Sequence, residues 1–459
     1  MKNPFLAPEL REIVEKNDDN ALQAFCAFLH PASVADFLGA LSSQEIWHVL
    51  VLLEPRLRAE IFGALDQDLQ GELIESLNRQ DLAQIVNHMS ADERVDLLKR
   101  MPDDRQETLM PVLAQAERED IRRLSSYPEG TAGAAMTSDY ATLPPDQTVR
   151  EALSKLRREA PDKETIYYSY VLDPDRRLIG FLSLKDLIIA RPDRRIEELM
   201  HRDLIYAVVS DDQEDAARKI AKYDLIALPV VNGNRELVGI ITHDDAIDII
   251  NQEHTEDMEK FMAIAGSHET GAYLRTSSWG HFKNRCIWLV ALAALGLVSG
   301  YIVQSFEGLL LQFAILATFM PMLADTGGNT GSQSATLIVR ALAVREISPG
   351  DILRVLWKEF KVGLPMAFLL AGLAFGRVIF FAGGSSRPEG YSLLIIGLAV
   401  GAALGLQVLT STLIGALLPL AAAKMKFDPA VVASPALTTI VDITGLFIYF
   451  TTAKLLLGI

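Results

Sequence analysis

From Cys286 to Phe306 the chain runs about 21 residues without a charged side chain, the length a helix needs to cross a bilayer. Four further apolar runs follow. Gly308 to Val339 is interrupted only by Asp325, Val362 to Ser386 contains Arg377, Tyr391 to Ala423 has no charge, and Pro429 to Ala453 carries Asp442 alone. Five membrane-spanning helices are the expectation. The second run is longer than one crossing needs, and "TGGNTGSQS" breaks its uniformity. This predicts one long helix bent or loosened at Gly327–Gly328.

Basic residues cluster in alternate connections. Lys283 and Arg285 precede the first run. Arg340, Arg345, Arg354, Lys358 and Lys361 lie between the second and third, and Lys424 and Lys426 between the fourth and fifth. "SFEG" and "GGSSRPEGY" are almost free of them. The positive-inside rule then puts the N-terminus in the cytoplasm and the C-terminus outside. GxxxG ridges at Gly296/Gly300, Gly372/Gly376 and Gly397/Gly401/Gly405 suit close helix packing, and one of them is available to a dimer.

Charge divides the chain sharply. From Lys283 onward there are 12 Lys+Arg and 8 Asp+Glu, so 31 of the 43 basic and 51 of the 59 acidic residues lie before it. An acidic front half repels phosphate, which excludes nucleic acid as a partner and suits divalent cations. Two distant cysteines, Cys26 and Cys286, offer neither a disulfide framework nor zinc spacing. "MKNPFLAPEL" lacks the apolar core of a signal peptide, so the front half is expected to stay in the cytosol.

A carboxylate at mid-bilayer costs several kcal/mol unless it meets a partner or water. Three readings compete for Asp442: a structural bridge to Arg377, a proton relay, and the wall of a cation pathway. The last is favoured by the hydroxyls of Thr438, Thr439 and Thr444 nearby and by a carbonyl freed ahead of Pro435. Such oxygens suit hard cations. One carboxylate per chain fits an ion that keeps most of its water, as magnesium does, and a symmetric dimer supplies two. Asp428, opening "FDPAVV", reads equally as a helix N-cap and as a residue of the pathway's mouth. Asp325 is either a polar pathway residue or a group satisfied by backbone amides.

The front half begins with short amphipathic helices from about Ala32 to Ala116, one per dozen residues, as in a small helical superhelix. Ser42 and Glu45 stand in capping-box positions. Asp92 and Asp96, at i and i+4, share one helix face, a solvated face or one that awaits a cation. An internal repeat follows. "MTSDYATLPPDQTVREAL" from Met136 is echoed from Met200, and "LIGFLSLKDLI" at Leu178 by "LVGIITHDDAI" at Leu237. The order helix, strand, turn, strand, helix resembles a tandem of CBS domains, named after cystathionine β-synthase, over about Met136 to Asn251. The glycine–hydroxyl–carboxylate sets are Gly180, Ser183, Asp186 and Gly239, Thr242, Asp245. In such pairs these groups often hold adenine nucleotides. Then come Asp244, Asp245, Asp248, Glu253, Glu256, Asp257 and Glu259 in one helical stretch, with Lys260 the only Lys or Arg. Bound divalent cations would relieve their repulsion.

The whole order resembles the MgtE family of bacterial magnesium channels, on "PMLADTGGNTGSQSATLIVRAL" from Pro321 and "FDPAVVASPALTTIVDITGLFIYF" from Phe427. The resemblance implies a multidomain integral membrane protein: an all-α N-terminal superhelical domain (1–130), an α+β tandem CBS pair (131–250), a connecting or plug helix (251–280) and a five-helix transmembrane domain (281–459). It implies a homodimer in the cell inner membrane with its pore on the dimer axis and Mg2+ held at Asp442, with Thr438 beside it and Asp428 near the cytosolic mouth. Inhibitory Mg2+ sites fall on Asp92, Asp96, Asp224, Asp245, Asp248, Glu253, Glu256 and Asp257. ATP, bound by some members, makes Ser183 and Asp186 candidate nucleotide contacts. The expected function is Mg2+ import through a channel that cytosolic Mg2+ closes. The alternative is a proton- or sodium-coupled divalent cation carrier. A membrane-tethered enzyme is disfavoured, because no Ser/Cys–His arrangement or Gly-rich phosphate loop is present.

Overall fold

The computed structural model describes residues 11–14, 16, 18–264, 276–381, 390–432 and 435–459. The opening "MKNPFLAPEL", Ser386 and Ala433–Ser434 before Pro435 lie outside these. The chain divides into two units, Met1–Asn251 and Gln252–Ile459.

Among the described residues from Asp19 onward, nine short helices follow one another: α1 (Asp19–Phe28), α2 (Pro31–Leu38), α3 (Ser43–Val51), α4 (Pro55–Gly63), α5 (Gln67–Ser76), α6 (Arg79–Val86), α7 (Ala91–Arg100), α8 (Asp103–Leu109) and α9 (Gln115–Leu124). Several start on a local signal. Ser42 and Glu45 form the expected capping box, and Asn78 caps α6. Helices this short are marginal alone, so packing of their apolar faces must hold them. Ile46, Leu50, Ile61, Phe62, Leu73, Ile85 and Val86 supply that core.

A second device serves the helix ends, whose carbonyls lack intrahelical partners. Buried Arg58 on α4 donates to the Leu50, Val51 and Leu53 carbonyls at the end of α3. Gln70 on α5 donates to Phe62, Gly63 and Leu65, and Arg94 on α7 to Val86 and Met89. Gln106 on α8 reaches the Met101 carbonyl. Four helices, α4, α5, α7 and α8, thus each carry a cap for the helix before them.

The repeat folds into two three-stranded sheets. β1 (Tyr140–Leu143) runs parallel to β2 (Thr165–Leu172), which pairs antiparallel with β3 (Leu178–Ser183); helices α10 (Val149–Glu159) and α11 (Leu184–Ile189) flank them. In the second copy β4 (Ala207–Val208) pairs with β5 (Ala227–Val231) and β5 with β6 (Leu237–Thr242), accompanied by α12 (Gln213–Tyr223) and α13 (His243–Phe261). The copies exchange their leading segments. Thr137, at the start of the first, bridges to Ile240 of the second, and His201, at the start of the second, bridges to Phe181 of the first. That exchange demands the two strand glycines. A Cβ on Gly180 would strike the Met200 side chain, and one on Gly239 the Met136 side chain, each well inside van der Waals contact.

The second unit holds the end of α13 and the apolar helices. These are α14 (Ser278–Ser305), two short turns α15 (Glu307–Gln312) and α16 (Ala314–Ala317), α17 (Met320–Ala343), α18 (Ile352–Phe381), α19 (Leu393–Lys424), the short α20 (Pro429–Val432) and α21 (Pro435–Leu457). Of these α14, α18, α19 and α21 are long and apolar enough to cross a membrane. The polar "TGGNTGSQS" makes α17 less apolar, though at 24 residues it is as long as a span.

The expected second helix differs from what forms. Gly308–Val339 is interrupted near Phe313 and Thr318, whereas α17 runs unbroken through Gly327–Gly328. The glycines serve packing instead. Cβ atoms on Gly327 and Gly331 would press on Val441, and one on Gly328 on the Thr438 methyl, so α21 lies against this smooth face. Gly331 and Gly415 bring α17 and α19 into backbone contact. Gly401 and Gly405 meet the Ala371 and Ala367 carbonyls of α18, so that ridge packs within the chain. Added Cβ atoms on Gly296, Gly300 and Gly372 would meet no other element among the described residues within 4 Å.

Candidate cation pathway and sensing acids

Asp442 sits midway along α21, half-buried, with Oδ1 buried and without a hydrogen-bond partner among the described residues. The structural bridge considered for it is not formed. Arg377 donates instead to the Thr318 carbonyl at 3.1 Å, and its guanidinium stacks 4.3 Å from the centroid of the Phe319 ring. Thr438 lies one turn before Asp442 on the same helix. The Thr444 hydroxyl is committed to the Ile440 carbonyl at 2.8 Å. Asp325 accepts from the Asn329 side chain at 3.0 Å on an exposed face of α17.

Asp428 uses its two oxygens separately. Oδ1 accepts from the Ala430 amide at 2.9 Å, which fulfils the N-cap reading. Oδ2 lies 3.2 Å from Lys260 Nζ, and the same ammonium is 2.5 Å from Glu256 Oε1. Desolvation opposes the Lys260 charge, but hydrogen bonds and attraction to Glu256 and Asp428 outweigh it and hold the group above its usual range. Desolvation and the nearby Asp428 charge push the Asp257 carboxyl up.

In the first unit, Asp92 and Asp96 stand on α7 as expected. Asp92 Oδ1 is buried and unpartnered among the described residues. Desolvation raises the pKa of Asp92, Glu93 and Asp96, and Asp92 adds repulsion at the latter two. Asp245, at the start of α13, is pushed up to about 7 by desolvation and then by Asp92 and Asp244. These acids therefore share one electrostatic neighbourhood. Sequence reasoning missed one of its strongly perturbed members. Glu164 precedes β2; desolvation by the surrounding protein, then Asp92, Asp245, Glu93 and Asp244, push it up to about 8, although solvent reaches the side chain. No periodicity marks Glu164, and only the fold brings it to α7 and α13.

Other sensing candidates are less engaged. Asp248 is exposed, and Asp224 is the exposed left-handed cap that ends α12, at φ 51°. Among the described residues, no three His, Cys, Asp or Glu side chains are gathered into a cation coordination sphere. Glu253 lies past Asn251, in the second unit.

The candidate nucleotide contacts have a structural duty. Ser183 Oγ donates to Asp186 Oδ2 at 2.6 Å and receives the Asp186 amide at 3.1 Å, a capping box that starts α11. Thr242 and Asp245 repeat the hydroxyl–carboxylate bond at α13. His201 Nε2 stands 3.3 Å from Asp186 Oδ2, and its ring packs on Phe181.

One further acid escaped notice because Lys358 and Lys361 flank it. Glu359 on α18 is buried and accepts from Ser334 on α17. It lines a cavity of about 400 Å³ with Thr330, Ser334, Thr412, Arg340 and Lys358.

Comparison with known proteins extends along the whole chain. Residues 320–452 match the family described as divalent cation transporter, 29–130 the MgtE intracellular N domain, and 132–193 and 196–252 the CBS domain. The chain is 38% identical to a magnesium transporter MgtE of Thermus thermophilus over 98% of both sequences. It is 34% identical to one of Bacillus subtilis over 85% of this chain and 84% of that one. Among solved structures, the cytosolic domain of the Mg2+ channel MgtE in complex with ATP is 38% identical (TM-score 0.50), covering 53% of this chain and 100% of its own. The soluble part of a magnesium transporter is 31% identical (TM-score 0.52), covering 54% of this chain and 97% of its own.

Proposed function

Because the chain belongs to the MgtE family of divalent cation transporters, we propose that it is a multi-pass channel that admits Mg2+ down its electrochemical gradient and is closed by cytosolic Mg2+. The observation that carries this reading is Asp442, a carboxylate on an apolar helix whose buried oxygen has no partner among the described residues and whose one candidate counter-ion, Arg377, is engaged elsewhere. A group so placed calls for water or an ion.

In this reading a homodimer in the inner membrane brings two Asp442 carboxylates to one axis, where they hold hydrated Mg2+ through its water shell. Thr438 lines the approach and Asp428 stands at the cytosolic mouth. Asp92, Asp96, Asp224, Asp245, Asp248, Glu253, Glu256 and Asp257 sense the ion from the cytosol. Their mutual repulsion favours separation when Mg2+ is scarce, and bridging ions draw them together when it is abundant. ATP at the CBS pair, near Ser183 and Asp186, shifts the affinity of these bridges by linkage. The division into 1–130, 131–250, 251–280 and 281–459 assigns sensing to the first three parts and permeation to the last. The N-terminus lies in the cytoplasm and the C-terminus outside.

The test is Mg2+ uptake in a strain lacking other importers. The chain must restore growth at low Mg2+, and Asp442→Ala must abolish it with a folded protein still in the membrane. The coupled carrier keeps one observation in its favour, the second buried carboxylate at Glu359. Single-channel openings under voltage clamp speak for the channel, and saturating proton- or sodium-dependent uptake without them for the carrier.

A further inference from the structure

Lys260 holds a permanent cation where the closing mechanism calls for a bound one. Its ammonium touches Glu256, one turn back on α13, and Asp428, the residue that leads into α20 and α21. The three side chains are only 29–35% exposed. The next residue, Phe261, packs against the cluster of Ala335, Leu437 and Val441, so the end of α13 is seated on α17 and α21. Asp428 spends Oδ1 on its own helix cap. Oδ2 is therefore the oxygen it can offer a cation, and Lys260 occupies it. In the acidic run from Asp244 to Glu259, Lys260 is the first Lys or Arg the chain supplies.

We propose that Lys260 is a tethered surrogate for the bridging cation: it closes the Glu256–Asp428 contact without metal, and a divalent cation must displace it to bridge the same carboxylates. The inference rests on the reading that Mg2+ among these acids closes the pathway. It adds two consequences. The gate has a closing force even at zero Mg2+, because an ammonium tied to two carboxylates neutralises part of their repulsion. The Mg2+ threshold is also raised, because metal and ammonium compete for Asp428 by mass action, and the doubly charged ion prevails only as its concentration rises.

The experiment uses the full chain in proteoliposomes, comparing wild type, Lys260→Gln and Lys260→Arg. Two quantities are read: channel open probability with no Mg2+ on the cytosolic face, and the Mg2+ concentration giving half-maximal protection from limited proteolysis. Lys260→Gln is expected to raise Mg2+-free opening several-fold and to move the protection midpoint several-fold lower. Lys260→Arg, which keeps the charge, is expected to stay near wild type in both. A Lys260→Gln midpoint equal to or above wild type overturns the proposal, as does unchanged Mg2+-free opening. A wild-type chain that Mg2+ does not protect defeats the gating reading itself, and displacement with it. A protected wild type with an indifferent Lys260→Gln defeats the surrogate alone. Thermal melting of each variant confirms that the fold is retained.

Discussion

Gln407 on α19 donates from Nε2 to the Leu323 carbonyl of α17 at 3.0 Å, and its amide fills the space left by Gly327 and Gly445. Three membrane helices thus meet over one polar side chain that is 1% exposed. A Cβ on Gly445 would overlap that amide, and the helices around it leave no room to retreat. Gly445→Val should therefore destabilise the second unit by about 1–3 kcal/mol or prevent its assembly. Gly300→Val, at a site where an added Cβ meets no other element among the described residues within 4 Å, is the control that should leave monomer stability unchanged. Thermal melts in detergent, read by size exclusion after heating, separate the two.

Asp442 yields a prediction in which stability and activity part. Oδ1 is buried without a partner among the described residues, so removing the charge relieves desolvation instead of breaking a bond. Asp442→Asn should fold at least as stably as wild type and lose at least about tenfold in Mg2+ uptake, since an amide offers one weaker acceptor to the hydrated ion. Equal uptake by the two proteins would remove the carboxylate from the pathway.

Much of this was legible before folding because one physical rule governed each part. Length without charge marked the helices of the second unit, and lone carboxylates in grease marked Asp442. Capping chemistry marked Ser42 and Glu45, and the paired Met and Gly positions marked the repeat. What escaped depended on neighbours far along the chain. Glycines at 327 and 328 read as a bend because a glycine lowers helix propensity; they are instead the flat side on which Val441 and Thr438 rest. Ser183 and Asp186 read for their chemistry toward a nucleotide, and that reading passes over the capping box that the same spacing builds at α11. Glu164, Gln407 and Glu359 gave no signal, since none belongs to a periodic or motif position. Arg58, Gln70, Arg94 and Gln106 did, at multiples of one helical repeat, but a cap donated backward to the preceding helix is not a pattern within any single helix.

Those caps carry a prediction of their own. Arg58 satisfies three carbonyls from a buried position. Arg58→Met keeps much of the apolar stem and leaves those acceptors unpaired, at a cost of about 1–3 kcal/mol per buried group left unsatisfied. The first unit should melt several degrees lower while uptake by the surviving protein stays intact. A melting curve superimposable on wild type would show that water replaces the guanidinium without loss.

The acid neighbourhood sets the pH response of the metal-free protein. Asp245 and Glu164 titrate near 7 and 8 when folded and near 4 as free side chains. The folded state thus binds more protons across this window, so its stability is fullest below about pH 4 for these groups and falls as pH rises through 7 to 8. In chelator, the first unit's melting temperature should drop between pH 5.5 and pH 8. Adding Mg2+ should reverse the drop at pH 8 and have little effect at pH 5.5, because the ion binds the deprotonated carboxylates and must displace protons from them. For the same reason the Mg2+ concentration that protects against proteolysis should rise on going from pH 8 to pH 6. Because the two carboxyls titrate as a coupled set with Asp92 and Glu93, the transition should be broader than that of a single group. Glu164→Gln removes one of the repelling charges and should flatten the pH dependence; a variant with the wild-type slope would place the titrating groups elsewhere.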